Sequence, residues 1–153
     1  MTRLMVNLAR FRALSRAHQW IVVQASILLP CLWIGLQLFG LGRLQGWLQH
    51  PPGPAATTLA LDAVMAMGNL VNIAGRHALC PVTCLTRSLL LDALLRRHGV
   101  ASQLRIGVRL SQGALDAHAW VEVAGVPVND RPEVGEQFAA FSEALPPTAF
   151  RSP

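Results

Sequence analysis

The sequence predicts an α+β fold in which helices come first and an antiparallel meander follows. Apolar residues recur at helical spacing as far as His98, apolar and polar residues alternate from Gln103 onward, and Gly- and Pro-rich punctuation separates the segments. A chain of 153 residues is the usual size of one domain, so one core is expected.

Residues 5–17 mix Arg with apolar side chains and suit an amphipathic helix. Helical patterns follow at about 20–29 and 31–48, with Pro30 as the expected break. The run His50-Pro51-Pro52-Gly53-Pro54 cannot continue a helix or a central strand and reads as a linker. It divides an apolar and basic helical extension at 1–50 from a second unit at 55–153. Residues 57–73 form the next predicted helix: Leu59, Val64, Met67, Leu70 and Val71 share a face, Thr57 or Thr58 supplies the cap, and Gly75 ends it. A further helix runs from about 83 to 98, with Gly99 just past its C-terminus and Arg96, Arg97 and His98 suiting the dipole of its last turn.

The period then changes. In 103–110, Leu104, Ile106, Val108 and Leu110 take one face, and Gln103, Arg105 and Arg109 the other. Ser111-Gln112-Gly113 turns the chain into 115–123, where Ala117, Ala119, Val121 and Val123 oppose Asp116, His118, Trp120 and Glu122. Ala124-Gly125 turns it again into a strand at 126–130, which Arg131-Pro132 closes.

Hydrophobic residues make up 52% of the chain and charged ones 14%, below the roughly 25% charge of ordinary soluble domains, so an apolar surface is packed or faces a partner or membrane. Residues 1–61 carry Arg3, Arg10, Arg12, Arg16 and Arg43 without one acid, whereas 62–153 balances eight Arg against eight acids. The high pI therefore belongs to the N-terminal segment. Without aromatic-interleaved basic stripes or zinc-finger spacing, no nucleic-acid partner is expected. The uncharged stretch 19–42 is long enough to span a bilayer, yet Pro30, Gln24, Ser26, Gln37, Gly35 and Gly40 interrupt it. A buried or partner-facing helical pair is the preferred reading, with membrane-surface contact through 1–48 as the other. Three Cys (Cys31, Cys80, Cys84) are too few and too odd for a disulfide scaffold and favour a reducing, cytoplasmic setting.

Cys84 stands at the predicted start of the 83–98 helix, where unpaired N–H groups favour an anion and thus a nucleophilic thiolate. A nucleophilic Cys needs a base within hydrogen-bond reach, and the base a third group to orient it. His118 is the candidate base on a strand's polar face, and Asp130, brought near by the Ala124–Val126 turn, the candidate orienter. A one-residue slip would turn Asp130 to the other face, and Asn129 would then take the role. A rival reading makes His77, Cys80 and Cys84 zinc ligands with His98 or His118, but no paired second ligand element accompanies them. Gln103 is a guess for an oxyanion donor beside the Cys84 N–H; Trp120 reads as core, and Glu122 as a solvated strand residue.

The ordered set Cys84-Leu85-Thr86-Arg87-Ser88, Arg96-Arg97-His98-Gly99-Val100, Leu104-Arg105-Ile106-Gly107-Val108, Ala117-His118-Ala119-Trp120-Val121-Glu122 and Val128-Asn129-Asp130 resembles the transglutaminase-like cysteine proteases of lasso-peptide gene clusters, over about residues 20–131. The resemblance implies a transglutaminase-like or papain-like core at 55–153, with Cys84 as nucleophile, His118 as general base and acid, Asp130 as orienter, and no cofactor or metal. It further implies removal of the leader from a ribosomal precursor peptide, a separate leader-recognition protein as partner, and a macrolactam cyclase acting next. An amine-acylating transglutaminase and a non-catalytic, membrane-associated binding module are the alternatives.

Overall fold

The computed structural model describes residues 11–48 and 59–140. The predicted linker at 50–54, the Thr57 and Thr58 caps and residues 5–10 of the predicted 5–17 helix lie outside the described residues.

Helix α1, Arg16–Leu48, runs straight through Pro30 and breaks at Gly40 (φ 74°, ψ 169°), ten residues later than expected. A proline inside a helix forfeits one N–H bond and crowds the preceding turn, at a cost of about 3 kcal/mol. Here Ala25, Leu29, Leu32 and Gly35 form a buried stripe on both sides of it, and each Leu that leaves water returns roughly 2 kcal/mol. Gly40, without a Cβ, takes the positive φ that other residues resist. Past it the helix turns back, so that Leu44 packs on Gly35 and the Phe39 and Trp47 rings meet at 5.1 Å.

Helix α2, Leu61–Arg76, buries Val64, Met67, Leu70, Val71 and Ala74 along one stripe. It ends one residue after Gly75, whose role is therefore not that of a terminator. A Cβ on Gly75 would stand 2.6 Å from the Arg87 Cδ, so this glycine makes room for a neighbouring side chain. Helix α3, Cys84–Arg97, closely matches its prediction. Thr83 caps it, its Oγ1 accepting the Thr86 N–H. Gly99 (φ 74°) closes it as expected: the Gly99 N–H reaches the Arg96 carbonyl and the Val100 N–H that of Leu95, the paired bonds of a Schellman motif.

Strands β1 (Ser102–Ser111), β2 (Ala114–Val123), β3 (Val126–Pro127) and β4 (Ala139–Ala140) form an antiparallel sheet in the order β3-β2-β1-β4. Both hairpins turn over two residues with positive φ, Gln112-Gly113 and Ala124-Gly125, as the right-handed twist of the paired strands prefers. Strand β1 joins α3 through a buried knot in which Asp92 accepts from Ser102 Oγ (2.6 Å) and from Arg96 Nε (3.0 Å).

The three long helices and one face of the sheet enclose a single core that includes Leu29, Leu32, Leu89, Leu91, Leu95 and Val121. Residues of α1 thus belong to the same core as those of α2, α3 and β2. The opposite face is covered too: a short helix α4 (Val134–Gln137) and β4 fold over β1, burying Trp120 with Val134 and Phe138. Gly107 permits this, because a Cβ there would lie 2.9 Å from both Trp120 Cη2 and Phe138 Cβ. Two-sided cover explains why the expected alternation blurs: Trp120 is fully buried on the polar face, whereas Leu110 and Leu115, at the projecting hairpin tip, are 76% and 72% exposed.

Candidate active site

Cys84 is the first residue of α3, half-buried, immediately after the Thr83 cap. The N–H groups of a first helical turn lack intrahelical acceptors, and Thr83 Oγ1 satisfies that of Thr86. Among the described residues the Cys84 N–H has no acceptor, which leaves it available to a substrate oxygen.

His118 lies midway along β2, paired with Gly107 of β1. Its ring packs between Phe138 (centroids 5.0 Å apart) and Trp120 (6.3 Å), and its Nε2 meets Asp130 Oδ2 at 2.6 Å. A carboxylate accepts at Nε2, so that nitrogen carries the proton and Nδ1 presents its lone pair. The second Asp130 oxygen accepts the Arg131 N–H at 2.8 Å.

The register does not place Asp130 there by itself. Strand β3 pairs Val123 with Val126 and Glu122 with Pro127, so a continued ladder would set Asp130 against Ala119, on the face away from His118. The chain instead leaves the ladder: the Val128 N–H still reaches the Val121 carbonyl, but the Val121 N–H is accepted by the Asn129 side chain at 2.8 Å. Asn129 Nδ2 donates to Ser88 Oγ, which donates to the Ala119 carbonyl, and the Asn129 carbonyl accepts from Asn72 Nδ2 at 2.7 Å. Asn129 thus steers the turn, while Asp130 contacts the imidazole. Asn129→Ala leaves the buried Val121 N–H unpaired and takes one of the two bonds of Ser88 Oγ, and a destabilisation of roughly 2 kcal/mol is expected, within the range of about 1–3 kcal/mol for an unsatisfied buried group. A urea midpoint equal to that of the wild type would contradict this role.

Cys84, His118 and Asp130 line one cavity of about 360 Å³. Its other walls include Met65, Asn69, Asn72 and Arg76, spaced along one face of α2, together with Arg87 and Arg131. These cavity residues escaped the sequence reading, although polar Asn69, Asn72 and Arg76 at helical spacing beside an apolar stripe were a legible signal. Gln103 is not among them: it is exposed opposite Glu122, toward the far end of β1 from Gly107. Glu122 is no solvated residue, since it accepts from Arg105 Nε (3.1 Å) and Trp120 Nε1 (2.9 Å). Among the described residues no three His, Cys, Asp or Glu side chains gather as a metal site, so His77, Cys80 and Cys84 do not form one; all three cysteines are free thiols.

A thiol at a helix start, an imidazole from a sheet and a carboxylate beyond the adjoining strand are the parts of a cysteine-dependent acyl-transfer centre. Comparison with family models agrees in class: the chain belongs to the transglutaminase-like superfamily, whose model matches residues 25–143. That membership supports a cysteine protease-like or acyltransferase-like activity and fits the α+β fold. The match begins inside α1. Neither curated proteins nor solved structures give a match.

Proposed function

We propose that this chain is a leader peptidase of lasso-peptide biosynthesis, a cysteine protease that cuts a ribosomal precursor before its core peptide is cyclised. The observation that carries the chemistry is the 2.6 Å contact of His118 with Asp130 in the cavity that Cys84 also lines. The lasso assignment is supported by the ordered motifs from Cys84 to Asp130.

In this reading the Cys84 sulfur, its proton passed to His118 Nδ1, attacks the scissile carbonyl. A C–S bond forms, the C–N bond breaks, and His118 returns its proton to the departing amine. Water, deprotonated by the same imidazole, then splits the thioester, freeing the leader as an acid and regenerating the thiol. The Cys84 N–H faces the transient oxyanion. The freed amine is what a separate ATP-dependent cyclase needs to close a macrolactam.

A separate recognition protein would hold the leader. Helix α1 offers it a surface: Trp20, Ile27, Ile34 and Leu38 recur on one exposed side, opposite the side packed in the core. The same helix is long and apolar enough to cross a membrane by length and composition, with a mean hydropathy of 1.9 over an 18-residue stretch. We place the reaction in the cytoplasm, where precursor and cyclase meet.

The test is mass spectrometry of a candidate precursor incubated with this protein and its recognition partner. Loss of the leader with gain of one water is expected; an amine adduct on the acyl fragment would show transglutaminase chemistry instead, and an unchanged precursor would refute the proposal. Replacing Trp20, Ile27, Ile34 and Leu38 by Gln should remove the acceleration given by the partner, and unchanged acceleration would discard the docking role of α1.

A further inference from the structure

We propose that the cavity beside Cys84 is an anion-selecting subsite, which takes an acidic side chain of the substrate close to the scissile carbonyl. This inference rests on Cys84 being the nucleophile and adds the substrate chemistry that its surroundings select.

Three arginines, Arg76, Arg87 and Arg131, line the cavity. The carboxylates that form ion pairs with arginine in the described structure are taken elsewhere, Asp92 by Arg96, Glu122 by Arg105 and Asp116 by Arg109, and Asp130 is hydrogen-bonded to His118. Among the described residues, none of the three cavity arginines has a carboxylate partner. Asp130 is the one acid in the wall, and both its oxygens are engaged.

Arg87 is the best placed of the three. It follows Cys84 by three residues, on the same face of α3, and is half-buried. Its stem lies against Gly75, where a Cβ would block it. Its head makes only long bonds, Nε to the Thr83 carbonyl at 3.4 Å and Nη1 to Asn72 Oδ1 at 3.5 Å. Asn72 is itself held by its bond to the Asn129 carbonyl, so Oδ1 is turned toward Arg87. A guanidinium stays charged throughout the physiological range and presents a planar fork suited to a carboxylate. A pre-positioned fork with unused donors, one helical turn from the thiol, favours a ligand that brings the missing negative charge. The volume of about 360 Å³ suits one extended side chain and part of the backbone.

The probe is a pair of alkylating reagents that differ in charge, iodoacetate and iodoacetamide, with modification at each cysteine followed by peptide mapping. Cys31, exposed on α1, is the reference within the same chain. The iodoacetate-to-iodoacetamide rate ratio at Cys84 is expected to exceed that at Cys31 by about tenfold, the scale on which a charged cleft concentrates a counter-ion. It should fall toward the Cys31 value in Arg87→Gln, or in Arg76→Gln, an exposed position at the end of α2, where Arg87→Gln does not fold. Equal ratios at both cysteines, or a high ratio unmoved by the arginine substitutions, overturn the anion subsite and leave the nucleophile standing. Failure of both reagents to modify Cys84 overturns the nucleophile, and the subsite with it.

Discussion

Cys84→Ala is expected to reduce the proposed leader release by roughly 10³-fold or more, since the remaining donors can position a substrate but offer no atom to form the acyl intermediate. The fold should not notice. The thiol is half-buried and makes no hydrogen bond among the described residues, while the cap of α3 belongs to Thr83 and the Leu89–Leu95 core lies further along the helix. A melting temperature close to that of the wild type, together with an intact precursor mass, is the paired readout. Cleavage that persisted in a clean preparation would move the nucleophile elsewhere.

Gly68→Ala is expected to have the largest effect on stability, and to silence the site at the same moment. A Cβ on Gly68 would stand 2.1 Å from the Val128 carbonyl oxygen and 2.9 Å from its carbon. Both are backbone atoms of the turn that carries Asp130, so no flexible side chain can yield. Either α2 moves off the sheet or residues 128–130 shift outward, taking the carboxylate from His118 and the Asn129 carbonyl from Asn72. Overpacking of this kind costs about 3 kcal/mol, and chemical denaturation should show it as a lowered midpoint with the same slope. Wild-type stability in the alanine variant would mean that α2 does not pack directly on this turn.

The legible parts of the fold were those set by neighbours in sequence. Thr83 and Gly99 delimited α3 because capping bonds reach only a few residues; Ala124-Gly125 turns the chain as read, and Gln112-Gly113 does so inside the three residues read as a turn, with Ser111 kept in β1. Cys84 was recognisable for the same reason, as a thiol at a foreseeable helix start. The misreadings occurred where a distant segment outweighed a local preference. Burial of Leu29 and Leu32 carried α1 past Pro30, Arg87 explained Gly75, and Arg105 with the indole N–H of Trp120 drew Glu122 out of solvent.

The order of elements, the thiol at a helix start and the candidate histidine and carboxylate were determined by the chain itself, through periodicity and capping, which act over one or two turns. Tertiary structure alone decided that Asp130 reaches His118, because the ladder register opposes it and only the Asn129, Ser88 and Asn72 bonds, with the bare backbone of Gly68, bend the chain across. Such contacts join residues about 40 to 60 positions apart, and no local propensity encodes a meeting at that separation.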